Sequence, residues 1–462
     1  MGLTDKSINE LINTEYPCSC GKTHIANIQN IAIGNGAIEK LEDFIDTQKL
    51  GDGTTFNKAT DRIYVVSDVN TEKAAGKMVS DRLEGEGYIV SKYVLPHPHM
   101  HAEERYADEE TEHMPEDAKL LIAVGSGSIN DMSRWAAFKK GIPYYIIATA
   151  PSMDGYASNI SPLIHNDLKI SFPAECAAAI IGDTDILATA PMHMIAAGLG
   201  DILGKYIAIS DWKLSEIIND EYCCPEVCEL ILYSVQKCVD TIDGLKNREA
   251  QALTNLMESL VLIGIAMSYI GYSRPASSSE HHIAHFLEMK SIFAGEYGEL
   301  HGTNVGMATC MISEMYKQFM STPIDYDKAR AHAKAFDFDS WKAEIERSFG
   351  KGAAEVIKLY DQARQDDPQN VLKRIDAIEA NEDKIMAQLR QTEADLSQCP
   401  ALLQELGALT DPSGYPLTQK ELDDVITYAK DLRNRYGTLQ IFYDLGELED
   451  LAAFISKKYK PE

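Results

Sequence analysis

The chain has 462 residues, which is more than one ordinary domain needs, so we expect two domains with substantial hydrophobic cores. It carries 43 Lys and Arg against 71 Asp and Glu, and this net charge of −28 argues against binding to nucleic acid. The start "MGLTDKSINE" has no basic segment before an apolar one, and no apolar run looks long enough to span a bilayer, so we expect a cytoplasmic protein without membrane insertion.

Near the N-terminus, the stretch "CSCGKTH" contains Cys18, Cys20 and His24. Thiolates and imidazoles are metal ligands, but no second closely spaced pair follows at the spacing of a zinc finger. A metal site here is therefore the less favoured interpretation. The nine cysteines are an odd number spread along a long chain, which is typical of reduced thiols.

Between about residues 60 and 190, short β-rich runs alternate with helical patterns. The runs are "RIYVVSD", "YIVSKYVL", "LLIAVGS", "YYIIATA" and "AAIIGDTDIL". This alternation predicts an α/β domain in which helices cover a parallel sheet. After residue 191 the β pattern stops, and Leu and Ala recur at spacings of three and four. We therefore predict an α/β domain at 1–190, followed by an all-helical domain at 191–462.

The stretch 340–400 is rich in charged residues. It fits either a long exposed helix or an interaction arm, and a solvated helix face is the favoured interpretation. Pro, Gly and Asp in "QDDPQN" and "TDPSGYP" break the helical period and predict loops between helices.

A glycine-containing turn is predicted in "LLIAVGSGSINDMSRWAAF", where a buried strand is followed by Gly125 and Gly127 and then by a helix. Such a turn directs backbone N–H groups and the positive end of a helix dipole at a pyrophosphate. The strict dinucleotide motif has a third glycine where this chain has Asn130. An ordinary strand-to-helix turn has a similar pattern, so both interpretations stay open.

Two further features suit a ligand at the carboxyl ends of parallel strands. Asp68 ends the first predicted strand, where it can accept a hydrogen bond from an adenosine ribose and favour NAD over NADP, or cap the next helix. The loop "TAPSMDGYASNIS", residues 149–161, is small and polar. Asp154 can bind a substrate hydroxyl there and Ser158 a cofactor, or both can satisfy a turn.

Three histidines occur within "SSSEHHIAHF". If this stretch is helical, His281 and His285 face one side while His282 points elsewhere. His301 follows in "EYGELHGTNVG", and Asp201 lies in an apolar helical pattern, where an unpaired carboxylate would be costly. One carboxylate and two imidazoles leave positions for substrate, which is typical of a catalytic metal site. The loose spacing leaves chance clustering open.

Five motifs in this order resemble the superfamily of metal-dependent alcohol dehydrogenases, glycerol dehydrogenase and dehydroquinate synthase. They are "GSGSIND", "TAPSMDGYAS", "AGLGDILGKY", "SRPASSSEHHIAHFLEM" and "LHGTNVG", and they cover roughly residues 25–320. The chain is most similar to the glycerol-1-phosphate dehydrogenases of the bacterial AraM type. The resemblance implies a Rossmann-like sheet domain followed by a dehydroquinate synthase-like helical domain.

The resemblance also implies roles for individual residues. Asp201, His281 and His301 would ligate one divalent ion, His285 and Asp154 would be the catalytic residues that contact substrate, and His282 would be a bystander. Zinc, nickel and iron(II) all accept this set of ligands. The expected NAD(P) contacts are Asp68, Gly125, Ser126, Gly127, Ser128, Thr149, Ser152 and Ser158. Many relatives have three consecutive glycines where this chain has Ser126, which affects how closely the backbone can approach a phosphate.

The activity implied by the resemblance is reversible reduction of dihydroxyacetone phosphate to sn-glycerol 1-phosphate by NAD(P)H, as part of phospholipid metabolism. A homodimer is expected, and Lys205 and Arg274 are candidates for binding the substrate phosphate. One alternative is a dehydrogenase of glycerol or another unphosphorylated polyol. Another is a catalytically silent, nucleotide-binding interaction protein.

Overall fold

The computed structural model describes residues 2–165 and 168–460, which form two compact units. The first unit comprises Met1–Ile202 and Glu229–Tyr272, and the second comprises Leu203–Cys228 and Ser273–Glu462. All strands that the structure describes lie in the first unit.

The first unit is built on a six-stranded parallel sheet in the order β3-β10-β7-β6-β4-β5. Its strands are short runs of Val, Ile, Leu and Ala, as expected where helices cover both faces of a sheet. Two antiparallel hairpins, β1–β2 and β8–β9, lie outside this sheet. The strands are β1 Tyr16–Pro17, β2 Thr23–His24, β3 Asn30–Gly34, β4 Arg62–Asp68, β5 Ile89–Leu95, β6 Ala118–Gly125, β7 Tyr144–Ala148, β8 Ile160–His165, β9 Leu168–Pro173 and β10 Ala179–Asp183.

Helices make up most of the remaining chain. The α-helices are α1 Leu41–Thr47, α2 Lys77–Gly85, α3 Glu104–Glu112, α4 Gly127–Lys140, α5 Thr184–Leu187, α6 Met192–Leu203, α7 Lys205–Asn219, α8 Pro225–Val239, α9 Ile242–Lys246, α10 Ala250–Ile270, α11 Ser279–Ala294, α12 His301–Phe319, α13 Tyr326–Ala335, α14 Phe338–Phe349, α15 Ala353–Ala363, α16 Pro368–Ala380, α17 Glu382–Leu396, α18 Cys399–Glu405, α19 Gln419–Tyr428, α20 Thr438–Asp444 and α21 Leu448–Tyr459. Short 3-10 helices and one π-helical turn, Glu72–Gly76, lie between them.

The predicted fold class is confirmed, with a parallel-sheet unit followed by a mostly helical region. Each of the five predicted β-rich runs coincides with or overlaps a strand of the sheet. The edge strand β3 and the hairpin β8–β9 were not predicted. The motif of β3, "NIAIG", is short and ends in glycine, so it gives a weak pattern.

The compact units do not break at residue 190, where the sequence changes from strands to helices. Residues 229–272 are helical, yet they pack with the sheet. Within this stretch α10 contacts β3 and the 3-10 turn Gly155–Ala157. A Cβ on Gly264 would lie 2.7 Å from the Cβ of Ala157, so glycine permits this close approach. Packing therefore defines units that differ from the predicted 1–190 and 191–462.

The charged stretch 340–400 forms the helices α14 to α17. It is neither one long exposed helix nor an extended arm, because each helix buries an apolar face. Ile345 of α14, Val356 of α15, Val371 of α16 and Ile385 of α17 are all buried. The charged residues occupy the other faces, as expected for amphipathic helices in a packed unit.

Two helical stretches are long and apolar enough to cross a membrane, contrary to what the sequence suggested. They are Met192–Asn219 and Ala250–Ile270. Most of each stretch is buried within the protein, which is usual for core helices. These features are consistent with a soluble protein.

Candidate active site

The turn between β6 and α4 has the geometry of an anion-binding site. A Cβ on Gly125 would lie 2.5 Å from the Cβ of Ile129, so only glycine fits at the end of β6. Ser126 is extended at the N-cap position, and its side chain makes no capping hydrogen bond to the first turn of α4. The backbone N–H groups of this turn are therefore available to a phosphate.

Polar residues of α4 hold the loop at residues 149–161. The Arg134 guanidinium donates to the carbonyl oxygens of Gly155 at 2.5 Å and Ile160 at 2.7 Å, and pairs with Asp131 at 2.9 Å. Burial raises the pKa of Asp131 to about 6, although Arg134 acts in the opposite direction. The Asn130 side-chain amide also donates to the carbonyl of Gly155, at 3.4 Å. Asn130 therefore has a positioning role where the strict motif has glycine.

The structure brings together most of the predicted cofactor-binding residues at the carboxyl ends of β6 and β7. The hydroxyls of Ser126 and Ser152 lie 2.5 Å apart, and the Thr149 N–H donates to the carbonyl of Gly125 at 3.0 Å. Ser128, in the same turn, donates to the carbonyl of Met100 at 3.3 Å. These contacts join the glycine turn to the start of the loop at 149–161.

Ser158 and Asp68 are mainly engaged in local turns. The Ser158 hydroxyl accepts the N–H of Ile160 at 3.1 Å. One Asp68 carboxylate oxygen accepts the N–H groups of Asn70 at 2.6 Å and Thr71 at 2.9 Å, which is the capping role that the sequence left open. Asp68 nevertheless ends β4, the strand next to β6, so it stays a candidate for the adenosine ribose.

The predicted catalytic residue Asp154 lies beside Asp201 in the first unit. Asp201 is fully buried on α6, and its carboxylate accepts the backbone N–H of Asp154 at 3.0 Å. A Cβ on Gly198, one turn earlier on α6, would overlap the carbonyl oxygen of Pro151. Glycine at this position therefore allows the loop that carries Asp154 to rest directly on α6.

A Gly198→Ala variant is expected to displace this loop. Relieving the overlap requires backbone movement, which typically costs about 1–3 kcal/mol of stability. We expect a lower urea midpoint and weaker NADH binding, measured by fluorescence titration. Gly85→Ala on α2 is a matched control, because no neighbouring atom lies within 4 Å of the position that its methyl group would take. Equal behaviour of the two variants would contradict the proposed close contact.

In the second unit, three histidines of α11 and α12 converge. The ring centroids of His281 and His301 are 5.2 Å apart, those of His285 and His301 also 5.2 Å, and those of His281 and His285 6.0 Å. The Nδ1 of His281 lies 2.6 Å from Glu280, while Glu288 lies 2.5 Å from Nδ1 of His301 and 3.3 Å from Nδ1 of His285. An ionised carboxylate only accepts, so each Nδ1 donates and each Nε2 carries the lone pair, which is the tautomer that a metal ligand needs.

His282 lies on the same helix but differs from its neighbours. It is buried, and within residues 2–165 and 168–460 its Nε2 has no hydrogen-bond partner. Burial lowers the pKa of His282, and the positive charges of Arg435 and Arg433 lower it further. Both effects favour the neutral form of the imidazole.

Arg433 and Arg435 form a cationic pair that the sequence analysis missed. Arg435 donates to the Ser277 carbonyl at 3.1 Å and to the Ser273 hydroxyl at 2.8 Å. The Arg433 side chain has no hydrogen bond or ion pair to any part of the chain that the structure describes, and burial lowers its pKa. Burial and the nearby Arg274 and Arg433 also lower the pKa of Arg435, to about 10. Two incompletely neutralised guanidinium groups are unusual in a chain with a net charge of −28.

Asp211 fixes the start of α11 against the segment that carries these arginines. Its carboxylate accepts the hydroxyls of Ser278 at 2.7 Å and Ser279 at 2.6 Å, and the backbone N–H of Thr438 at 2.9 Å. A Cβ on Gly437 would overlap the same carboxylate. The serines that precede the histidines therefore have a positioning role.

The structure supports neither Arg274 nor Lys205, the two residues that were expected to bind the substrate phosphate. Arg274 is almost fully buried and donates to Glu221 at 3.0 Å, to the Ser278 hydroxyl at 3.1 Å and to the Tyr436 carbonyl at 2.7 Å. Its guanidinium is thus used within the fold. Lys205 is fully buried on α7. The signal that could have identified Arg433 and Arg435 is the pair of arginines in "RNRYGT", within a chain that is poor in basic residues.

Comparisons with known proteins agree with these observations. The model of the iron-containing alcohol dehydrogenase family matches residues 32–191. A glycerol-1-phosphate dehydrogenase [NAD(P)+] from Halalkalibacterium halodurans is 31% identical over 82% of this chain and 90% of its own length. The enzyme of the same name from Bacillus licheniformis is 34% identical over 69% of this chain and 79% of its own length.

The crystal structure of a probable glycerol dehydrogenase from Sinorhizobium meliloti is similar in fold, with a TM-score of 0.58 at 14% identity over 94% of this chain and 98% of that chain. This likeness supports the fold alone. The two sequence relatives are more similar to this chain, and each covers more than two thirds of it. The chain therefore belongs to the family of NAD(P)-dependent glycerol-1-phosphate dehydrogenases, within the iron-containing alcohol dehydrogenase superfamily.

Proposed function

We propose that this protein reversibly reduces dihydroxyacetone phosphate to sn-glycerol 1-phosphate with NAD(P)H and a divalent metal ion. One proton and one hydride are added to the ketone, and NAD(P)+ is released. The observation that carries the proposal is the set of imidazoles whose Nδ1 atoms are held by Glu280 and Glu288. This arrangement is typical of histidines prepared to bind a metal.

We assign the metal ligands to Asp201, His281 and His301. An oxygen and two nitrogen donors suit zinc, nickel or iron(II). Burial of the Asp201 carboxylate supports this role, since a buried charge is costly unless it is compensated. When bound, the ion supplies Lewis-acid stabilisation of the negative charge that develops on the substrate oxygen.

The first unit is assigned to NAD(P). The glycine turn at residues 125–128 offers its backbone N–H groups to the pyrophosphate, and Thr149 and Ser152 lie next to it. Asp68 ends β4, the strand next to β6, and is assigned to accept a hydrogen bond from the adenosine ribose. Ser158 would need to exchange a local hydrogen bond for one to the cofactor.

Within the second unit, we assign Arg433 and Arg435 to the phosphate of the substrate. Guanidinium groups bind phosphate through paired, charge-assisted hydrogen bonds. Arg433 has no other partner in the described part of the chain, and the Nε2 of the buried His282 lacks one as well. His282 is then part of the anion site rather than a bystander. A phosphate would neutralise the cationic pair.

His285 and Asp154 are assigned to the substrate hydroxyl groups. Glu288 holds the His285 ring, and its Nε2 is assigned to accept a proton from the substrate hydroxyl and to return it. The hydrogen bond from the Asp154 N–H to Asp201 fixes the backbone from which the Asp154 carboxylate reaches substrate. Both residues orient the substrate, while the cofactor performs the hydride chemistry.

The test is oxidation of NADH and NADPH by the purified protein with dihydroxyacetone phosphate and, separately, with dihydroxyacetone. We expect turnover with the phosphorylated ketone and a product that glycerol-3-phosphate dehydrogenase does not oxidise. Preference for dihydroxyacetone would instead support the unphosphorylated polyol alternative. Absence of turnover with either ketone in metal-loaded protein would support a silent binding protein.

The cytoplasmic location and the homodimer remain part of this proposal. A cytoplasmic enzyme would have direct access to NAD(P)H. Size-exclusion chromatography with light scattering tests the homodimer, and a monomeric mass would contradict it.

A further inference from the structure

A second metal site is indicated in the hairpin β1–β2, apart from the residues assigned to catalysis. The turn between its strands carries Cys18 and Cys20, and His24 ends β2. The thiol sulfurs and one imidazole nitrogen of these residues all lie within 4.8 Å of one another. From this geometry, we propose that Cys18, Cys20 and His24 bind a structural zinc ion.

The distance between two of the donors matches zinc coordination. Bonds of about 2.3 Å to sulfur and about 2.1 Å to nitrogen, at a tetrahedral angle, place these donors about 3.6 Å apart. In the structure Sγ of Cys20 lies 3.5 Å from Nε2 of His24. Thiolate and imidazole ligands favour zinc over magnesium or calcium. The fourth position of a tetrahedral ion takes a donor from outside the hairpin or a water molecule.

The turn itself is shaped to present the two thiols. The Cys18 N–H donates to the Lys22 carbonyl at 2.9 Å, and the Gly21 N–H donates to the Cys18 carbonyl at 3.0 Å. Gly21 has a φ of +83°, a conformation that favours glycine. The Cys20 N–H points at Sγ of Cys18, at 3.5 Å. A backbone N–H directed at sulfur stabilises the thiolate that zinc requires.

His24 is oriented by Tyr269 of α10. Its Nδ1 lies 3.0 Å from the carbonyl oxygen of Tyr269, which can only accept, so Nδ1 donates and Nε2 carries the lone pair. The imidazole also stacks on the Tyr269 ring, with centroids 5.3 Å apart. A carbonyl that accepts from the distal ring nitrogen is the usual partner of a zinc-bound histidine.

The size of the hairpin gives zinc a physical role. Each strand has two residues, and isolated hairpins of this kind are marginal in water. Most side chains of the turn are exposed, so little apolar burial stabilises it. A bound ion would cross-link residues 18 to 24 and add its binding energy to the folded state.

The test is metal analysis of the full-length protein, purified without chelators. We expect one zinc ion per chain to disappear in the Cys18→Ser/Cys20→Ser variant, while the metal assigned to the histidines remains. Cys176→Ser is the matched control, because Cys176 is also a partly exposed free cysteine and should leave the zinc content unchanged. Equal zinc content in the double variant and the control would overturn the proposal.

Two measurements on the protein without substitutions in its sequence keep the test decisive if the double variant does not fold. Cobalt-substituted protein should show a thiolate-to-metal charge-transfer band, which the oxygen and nitrogen ligands of the proposed catalytic site do not produce. Alkylation followed by peptide mapping should modify Cys18 and Cys20 only after the zinc is chelated, and Cys176 to the same extent before and after. Absence of the band, or alkylation of Cys18 and Cys20 that is independent of chelation, would contradict a zinc site.

Discussion

An Asp201→Asn variant is expected to bind its divalent ion more than about 100-fold more weakly and to lose nearly all activity with dihydroxyacetone phosphate. Removing even a hydrogen-bonding partner of a metal ligand costs about 10–100-fold, and a ligand itself should cost more. Asparagine keeps the size of aspartate and an oxygen that can accept the Asp154 N–H. The variant should therefore fold, so that the loss reports metal binding. Competition with a chromogenic chelator measures the affinity.

A Glu288→Gln variant gives a graded comparison. The amide can still contact the rings of His285 and His301, but it cannot offer a carboxylate to both Nδ1–H groups. We expect metal affinity to fall by about 10–100-fold, less than for Asp201→Asn. Glu296→Gln, at an exposed position after α11, is the control. Wild-type metal affinity in Asp201→Asn would exclude Asp201 as a ligand.

Arg433→Ala and Arg435→Ala variants are expected to raise the KM for dihydroxyacetone phosphate by about 10- to 100-fold each, because a hydrogen bond to a charged group contributes about 1.5–3 kcal/mol. Metal content and any weak activity with dihydroxyacetone should change little, since that ketone has no phosphate. Steady-state kinetics with both ketones separates substrate recognition from general damage. The Arg433 variant is the cleaner of the two, because Arg435 also bonds to Ser277 and Ser273.

Arg390→Ala on the exposed face of α17 is the matched control for loss of one positive charge. It should leave both KM values unchanged. An equal rise in KM for the phosphorylated and unphosphorylated ketones would show that the arginines support the fold of the second unit rather than the phosphate.

The parallel sheet was predictable because its strands are buried on both faces. A continuous apolar run as short as residues 120–124, bounded by turn residues, fits a buried strand better than a helix. The glycine turn after β6 was predictable because a tight connection from a strand to a helix selects glycine. The boundary between the compact units was not predictable from the sequence. Both α10 and the helices of the second unit are amphipathic or apolar, so only their packing shows to which unit each belongs.

The histidines were visible from their spacing on one helix face, whereas their supports were not. Glu288 is one of many glutamates, and nothing local shows that it bridges His285 and His301 from different helices. Arg433 lies far along the chain from His282, so the sequence alone does not reveal that its charge acts on this imidazole. The sequence shows the cluster of Cys18, Cys20 and His24. It does not show the carbonyl that orients His24, because Tyr269 is far away along the chain.

The most direct measurement of the central claim is NADH oxidation with dihydroxyacetone phosphate after the protein has been stripped of metal and then supplied with zinc, nickel or iron(II) separately. We expect that stripping abolishes turnover, that at least one of these ions restores it, and that none restores it in the Asp201→Asn variant. Undiminished turnover in protein shown to be free of metal would contradict a metal-assisted reduction.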